Sequence, residues 1–322
     1  MQERKYGMRY IIKKIVALIM TLFVVSALSF LAFQMIPSDA AVVQLGNTAT
    51  PEKIEALQKE MGLDRPPLER FGEWFTGLFS GDLGESFTYH MPVSDIILGK
   101  LPITITMICM SFIFLLLLSI PLSLLCARFE GGALDRTLVV LSQMVMSVPG
   151  FFIGILMVYG LGLLLKLFTP GAFVSFSEDA GAFLYYMIFP SLAVALPKSA
   201  MGTKILRSAI LQESGKDYVR TAYSHGNSKN KVLVHHVMKN SLLPAVSFWA
   251  LAIADVAASS VIMEQVFSIP GMGAMLVQAI SNRDYVLVQG IILLIAAIIV
   301  VIHFVADLLY GILDPRIQLK KV

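Results

Sequence analysis

Residues 101–127, LPITITMICMSFIFLLLLSIPLSLLCA, contain no acidic or basic side chain. A transmembrane helix needs about 20 mostly apolar residues, so this run is long enough to cross a bilayer. Similar runs occupy residues 15–36, 137–165, 180–197, 241–263 (interrupted by Asp255) and 285–305. We therefore predict an all-α polytopic membrane protein with six transmembrane helices.

The composition supports this class. Of 322 residues, 57% are hydrophobic and only 15% are charged, whereas soluble domains carry about 25% charged residues. The mean hydropathy is +0.76. These values exclude a soluble enzyme, a disordered chain and a nucleic-acid binder, and they make membrane lipid the surroundings of the chain.

The distribution of charge predicts the orientation. Residues 1–14 carry five basic residues and 198–240 carry eight against two acids, whereas residues 37–100 carry ten acids and five bases. Basic segments remain in the cytoplasm, so we predict that both termini are cytoplasmic. The predicted organisation is a cytoplasmic N-terminus and first helix (1–36), an extracytoplasmic loop (37–100) and a five-helix core (101–322) with a cytoplasmic loop (198–240).

The segment 37–100 contains helix signals of its own. Thr50 and Pro51 have the residue types of an N-cap and a first helical position. A second amphipathic stretch contains Trp74 and several phenylalanines. This stretch could lie at the outer membrane interface or pack onto the bundle. Residues 81–84, GDLG, predict a turn.

A short helix is also predicted in the loop 198–240. Residues 216–225, KDYVRTAYSH, precede Gly226, which has the residue type of a helix C-cap. A helix this short is unstable alone in water, so it needs a docking surface. That surface could belong to a partner protein or to the chain's own bundle.

The longer stretch 217–244, DYVRTAYSHGNSKNKVLVHHVMKNSLLP, resembles the coupling motif of ABC-importer permeases, and more narrowly the dipeptide/oligopeptide/nickel family. The resemblance extends over nearly the whole chain, through ATPEKIEALQKEMGL (49–63), GDLGES (81–86), LPIT (101–104), EQVFSIPGMG (264–273), NRDYVLVQG (282–290) and DLLYGILDPR (307–316). The general motif opens with Glu-Ala-Ala, and here Arg220, Thr221 and Ala222 take those places. The corner at 36–40 also departs from the family.

The resemblance implies a type I ABC importer permease in the bacterial cytoplasmic (inner) membrane. Its implied partners are a second related permease, two ATPase subunits that hold ATP and Mg²⁺, and an extracytoplasmic substrate-binding protein. No GxxxxGK[ST] motif is present. We therefore expect no catalytic site, no cofactor and no metal in this chain.

The resemblance also implies roles for residues of the coupling motif. Tyr218 and Tyr223 would give apolar contact with an ATPase subunit, and Arg220 could pair with an ATPase carboxylate. Gly226 would end the helix and Pro244 would set the entry into the fifth span. The complete predicted coupling set is Tyr218, Arg220, Thr221, Ala222, Tyr223, Gly226 and Pro244.

Asp255 is the candidate for the translocation pathway, because a carboxylate within a membrane helix is costly. It could meet a peptide ammonium group or a metal ion, or it could form a helix–helix hydrogen bond with a serine or backbone partner. We expect Glu264 to cap the turn 268–273. His303 and Asp307 lie four residues apart and so share a helix face.

Three transport functions remain open at this point. The first is ATP-driven import of di- or oligopeptides, and the second is import of nickel or another small chelate by the same type of complex. The third is a stand-alone channel or ion-coupled carrier, which would predict several charges along the spans and an inverted repeat.

Overall fold

The computed structural model describes residues 2–34, 40–45, 49–60, 62 and 64–313. Helices dominate these residues, and one isolated β-bridge joins Glu85 and Pro92. The helices are α1 (Gln2–Gln34), α2 (Ala40–Leu45), α3 (Pro51–Glu60), α4 (Pro67–Gly77), α5 (Val93–Arg128), α6 (Ala133–Ser147), α7 (Gly150–Met157), α8 (Ala180–Ser214), α9 (Asp217–Ser224), α10 (Lys229–Lys231), α11 (Met238–Val266), α12 (Met272–Ser281) and α13 (Tyr285–Leu313). The corner at 36–39 and the basic tail from Asp314 onward lie outside the described residues.

Within the described ranges, five helices are long and apolar enough to cross a membrane, and a bent pair of helices makes a sixth. This confirms the all-α, six-span prediction at its upper count. The predicted span at 137–165 is bent, because α6 and α7 meet at an angle of 101°. The break falls at Val148, which is extended because it precedes Pro149.

The loop predicted at 198–240 is largely helical. Helix α8 continues to Ser214, and a π-helical stretch, Val232–Val237, joins α10 to α11 without interruption. Basic residues suggested a loop, but two of them, Lys198 and Arg207, pair with carboxylates of neighbouring helices. Their charges are thereby compensated within the helical region.

The chain divides into two compact units. The first comprises residues 1–103 and 270–304, and the second comprises residues 104–269 and 305–322. In the first unit, Val93 and Ile97 of α5 form a buried core with Leu287, Val288 and Ile291 of α13. Helix α5 begins at Val93, eight positions before the apolar run at 101.

The two helix signals within residues 37–100 are confirmed. Helix α3 begins at Pro51, and the Thr50 hydroxyl accepts a hydrogen bond from the Lys53 N–H at 3.4 Å. Helix α4 packs through Phe71 and Phe75 on Phe23 of α1, with ring centroids 6.2 and 5.3 Å apart. The structure therefore favours packing on the chain itself over a helix that lies free at the interface.

Asp284 anchors the start of α13 in the first unit. Its buried carboxylate accepts hydrogen bonds from the Ser86 hydroxyl at 2.5 Å, the Thr88 N–H at 3.0 Å and the Leu287 N–H at 3.2 Å. The last of these is an N-cap interaction. One side chain thus caps a membrane helix and holds the turn that contains Ser86.

The second unit is built around α8, which packs against α6, α7 and α11. Gly154 of α7 allows close approach, because a Cβ there would lie 2.8 Å from the Met263 sulfur. A Cβ on Gly160 would meet nothing within 4 Å. The small side chain is therefore needed for helix packing at Gly154 and not at Gly160.

A buried ion pair joins α6 to α8. Both Asp135 carboxylate oxygens accept hydrogen bonds from the Arg207 guanidinium at 2.7 Å. The Gly131 N–H donates to the same carboxylate at 3.0 Å. The pair fixes the first turn of α6 on the half of α8 that leads to α9.

Candidate coupling helix and intramembrane ion pair

Helix α9 follows α8 after a two-residue turn at Gly215 and Lys216. Asp217 lies in its first turn, where a carboxylate interacts favourably with the helix dipole. The helix ends at Ser224, and Gly226 adopts a left-handed φ of 78°. Glycine adopts that conformation without the strain that a Cβ would cause. The observed helix and its end confirm the sequence prediction of a short helix that stops at Gly226.

One face of α9 is covered by its own chain. Val219 and Ala222 are buried, and α9 packs against the π-helical stretch Val232–Val237. Ala222 therefore faces the bundle and offers little surface to a partner, and its place in the predicted coupling set stays a prediction. The two residues share this face because the helical period places residues three apart on one side.

Tyr218 connects α9 to α8 and α11. Its hydroxyl donates to the Glu213 carboxylate at 2.9 Å and accepts from the Asn240 amide at 3.0 Å. Lys216 also pairs with Glu213, at 2.6 Å. A tyrosine hydroxyl is protonated at neutral pH, and partial burial raises the pKa of the Tyr218 phenol further.

The other face of α9 is open. The Arg220 side chain is 79% exposed, and Thr221 and Tyr223 are exposed beside it. Arg220 lies 3.6 Å from Asp217, and such exposed pairs contribute about 0–1 kcal/mol. The guanidinium can therefore leave Asp217 for another carboxylate at little cost.

Pro244 lies near the start of α11. It lies inside α11, within a continuous helical segment that begins at Lys229 and ends at Val266. Its predicted role at the entry into the fifth span stays a prediction. Proline is tolerated inside membrane helices where local π adjustments and polar side chains satisfy the freed backbone groups, and the π-helical stretch directly precedes α11 here.

Asp255 has a partner that the sequence did not identify. The Lys198 ammonium of α8 lies 2.6 Å from its carboxylate. The contact joins two helices, as the helix–helix alternative expected, but its partner is a lysine and not a serine or backbone group. The role of Asp255 toward a ligand stays a prediction. Lys198 was missed because its positive charge, at the end of the apolar run 180–197, placed it in the predicted loop. Its signal was a basic residue next to Pro197 in an otherwise apolar segment.

The other polar residues singled out in the sequence are Glu264, His303 and Asp307. The Glu264 carbonyl accepts from the Ile269 N–H of the turn at 2.7 Å, whereas its buried side chain accepts from the Thr104 hydroxyl at 2.5 Å. His303 contacts the Ile299 carbonyl at 2.9 Å. The Asp307 side chain lies outside the described residues. Within the part of the chain that is described, no three His, Cys, Asp or Glu residues come together as metal ligands.

Two family models match this chain. Residues 119–319 match the family described as the binding-protein-dependent transport system inner membrane component. Residues 7–108 match the N-terminal model of the same component. The chain belongs to this family. It is accordingly a multi-pass protein of the bacterial inner membrane, as the sequence predicted.

Curated relatives of this inner membrane component match over nearly their full length. A putative peptide transport system permease protein of Brucella abortus is 33% identical, covering 96% of this chain and 98% of the relative. The oligopeptide transport system permease protein AppB of Bacillus subtilis is 30% identical over 96% of this chain and 99% of its own length. The dipeptide transport system permease protein DppB of Escherichia coli is 30% identical over 98% of this chain and its whole length.

A solved structure supports the fold. A chain of the MetNI methionine ABC transporter, in inward-facing conformations, aligns with a TM-score of 0.55 at 13% identity, covering 68% of this chain and 96% of that chain. The inner membrane component therefore has the fold of a type I ABC-importer permease.

Proposed function

We propose that this chain is the permease subunit of an ATP-driven importer that takes up di- or oligopeptides delivered by an extracytoplasmic binding protein. The names of the full-length relatives support the peptide substrate. The observation that carries the coupling mechanism is the two-sided environment of α9. One face is held on the chain's own helices, and the other is free to meet a partner.

ATP and Mg²⁺ would be held by two separate ATPase subunits, since the chain has no phosphate-binding GxxxxGK[ST] motif. A second related permease would complete the membrane part. Lysine and arginine are concentrated around α9 and in residues 1–14. This asymmetry supports a cytoplasmic position for α9 and both termini.

Coupling would pass from α9 into the membrane helices through Tyr218. Its hydroxyl ties α9 to Glu213 at the end of α8 and to Asn240 at the start of α11. A displacement of α9 by closing ATPase subunits would therefore be transmitted to both helices. Binding of ATP would shift the population between inward-open and outward-open states of the bundle.

The docking role of α9 is tested by reversing its exposed charge. Arg220→Glu should reduce the amount of ATPase subunit that co-purifies from native membranes by about tenfold, about 1.4 kcal/mol. Lys53→Glu is the matched control, because Lys53 is an exposed base on α3. Undiminished co-purification and uptake with Arg220→Glu would overturn the docking proposal.

The transport class is tested by uptake. Cells that lack this chain should fail to take up a labelled di- or oligopeptide, and the wild-type chain should restore uptake. Restored uptake of nickel, without peptide, would instead assign the chain to metal import. The purified chain alone in liposomes should move no peptide, whereas robust flux without ATP would favour the stand-alone carrier.

A further inference from the structure

The Lys198–Asp255 ion pair joins α8 to α11, two helices of the second unit that pack against each other. Lys198 is in the interior of α8 and Asp255 is in the interior of α11. Both helices are candidate membrane spans. Ionisable side chains within membrane spans are rare, and they mark substrate and ion pathways.

Asp255 belongs to an open stripe of α11. Leu251, Asp255, Ala258 and Ile262 follow the helical period and are all exposed. The Asp255 side chain is 66% exposed and Lys198 is 28% exposed. A charged pair so open to its surroundings cannot face hydrocarbon without a large penalty, so this stripe faces protein or a water-lined path.

The pair keeps unused binding capacity. A carboxylate has about four acceptor positions, and an ammonium has three donors. Among the described residues, the one hydrogen-bond partner of each charged group is the other member of the pair. Ala258, three residues after Asp255 on the same exposed stripe, presents only a methyl group.

The charges also match one class of ligand. The empty pair is neutral, so it leaves no uncompensated charge in the membrane when the transporter resets. A peptide with free termini carries one ammonium and one carboxylate. It can replace each half of the pair with an opposite charge, and the loaded site is again neutral.

We propose that Lys198 and Asp255 form a binding site for short peptides whose two termini are free. Asp255 receives the peptide ammonium, and Lys198 receives the terminal carboxylate. This inference rests on the peptide-importer function proposed above and identifies the substrate class within it.

Binding requires the pair to open. The charged atoms are 2.6 Å apart at rest, and two extended residues span about 7 Å. Lysine has a flexible four-carbon stem, so the ammonium can swing away while Asp255 stays in place on its helix. Short peptides engage both charges at once, whereas a long peptide places its second terminus beyond reach.

The test measures binding to the permease itself, without the binding protein. The purified complex with its co-purifying subunits is placed in lipid nanodiscs, and labelled alanyl-alanine is displaced by unlabelled free, N-acetylated or C-amidated alanyl-alanine. In the wild type, the free peptide should compete at least about tenfold better than either capped form, the effect of one charge-assisted contact.

Each substitution should remove one preference only. Asp255→Asn should bind the free and N-acetylated peptides equally, and Lys198→Gln should bind the free and C-amidated peptides equally. Lys204→Gln is the matched control, because Lys204 is exposed on the same helix, and it should keep both preferences. ATP hydrolysis by the same preparations reports assembly.

Equal weakening of all three peptides by Asp255→Asn and Lys198→Gln would make the pair structural and overturn the inference. If the complex with Asp255→Asn does not assemble, the inference is decided by whether Lys198→Gln binds the free and C-amidated peptides equally. A wild-type complex that shows no preference for free termini, in cells that import peptides, overturns this inference and leaves the proposed function standing. Cells that import no peptide overturn both.

Discussion

Replacing Arg207 by methionine tests whether the ion pair between α6 and α8 is a main support of the second unit. The substitution keeps the length and apolar stem of the side chain and removes its charge. Asp135 would lose both guanidinium hydrogen bonds and keep those from the Gly131 N–H and the Cys126 thiol. A buried carboxylate would then lack its counter-charge.

The magnitude follows from the exposure of the two partners. Removing one partner of a buried pair costs about 3–5 kcal/mol. The Arg207 side chain is 23% exposed and the Asp135 side chain is 4% exposed, so the lower end, about 3 kcal/mol, is appropriate for Arg207→Met. Asp135→Asn should cost less, about 1–2 kcal/mol, because the guanidinium that remains can reach solvent.

The assay is the apparent midpoint temperature at which the detergent-solubilised protein leaves the monodisperse fraction. At about 2 °C per kcal/mol, Arg207→Met should lower this temperature by about 6 °C. Arg136→Met is the control, because Arg136 is the exposed neighbour of Asp135 in α6, and it should change the temperature by about 1 °C or less. The double variant Asp135→Asn with Arg207→Met should lie above Arg207→Met alone.

Two results would refute this reasoning. If Asp135→Asn destabilises more than Arg207→Met, exposure does not decide the asymmetry. If the double variant equals the sum of the single variants, the two side chains are not energetically coupled, and the contact stabilises neither helix.

Two further predictions concern other contacts and use the same assay. Gly154→Val should destabilise the protein by about 1–3 kcal/mol, since its side chain would enter the space of the Met263 thioether; Gly160→Val should not, and equal effects would show that β-branching rather than packing is responsible. Asp284→Ala should cost about 2–3 kcal/mol through the lost N-cap and the unpaired buried donors, whereas Asp95→Ala, at an exposed first-turn position of α5, should cost about 0.5 kcal/mol or less. Equal losses at the two aspartates would show that burial and capping of the carboxylate do not matter.

The local features of this protein are readable along the chain. Apolar runs of the required length predict the spans, because the bilayer sets the length of a spanning helix. The short helix α9 and its end at Gly226 are predicted from residues within a few positions of each other. Helix caps and left-handed glycines depend on local backbone geometry, so no distant contact is needed to recognise them.

The helix boundaries at charged residues could not be obtained in that way. Lys198 and Arg207 suggested a loop, although both lie inside α8. A charge is tolerated there when an opposite charge approaches from another helix. Those partners, Asp255 and Asp135, lie 57 and 72 positions away in the chain. The residue spacing within one helix cannot predict a contact with a residue on another helix.

By itself, the sequence determines that this chain is a six-span membrane protein of the importer-permease family with the short helix α9 after α8. Hydrophobic length, charge asymmetry and local motifs are sufficient for that. Only the tertiary structure shows that Ala222 faces the bundle, that α6 and α7 bend by 101°, and that Lys198 meets Asp255. These outcomes depend on which surfaces the helices bring together, and packing between distant segments settles that.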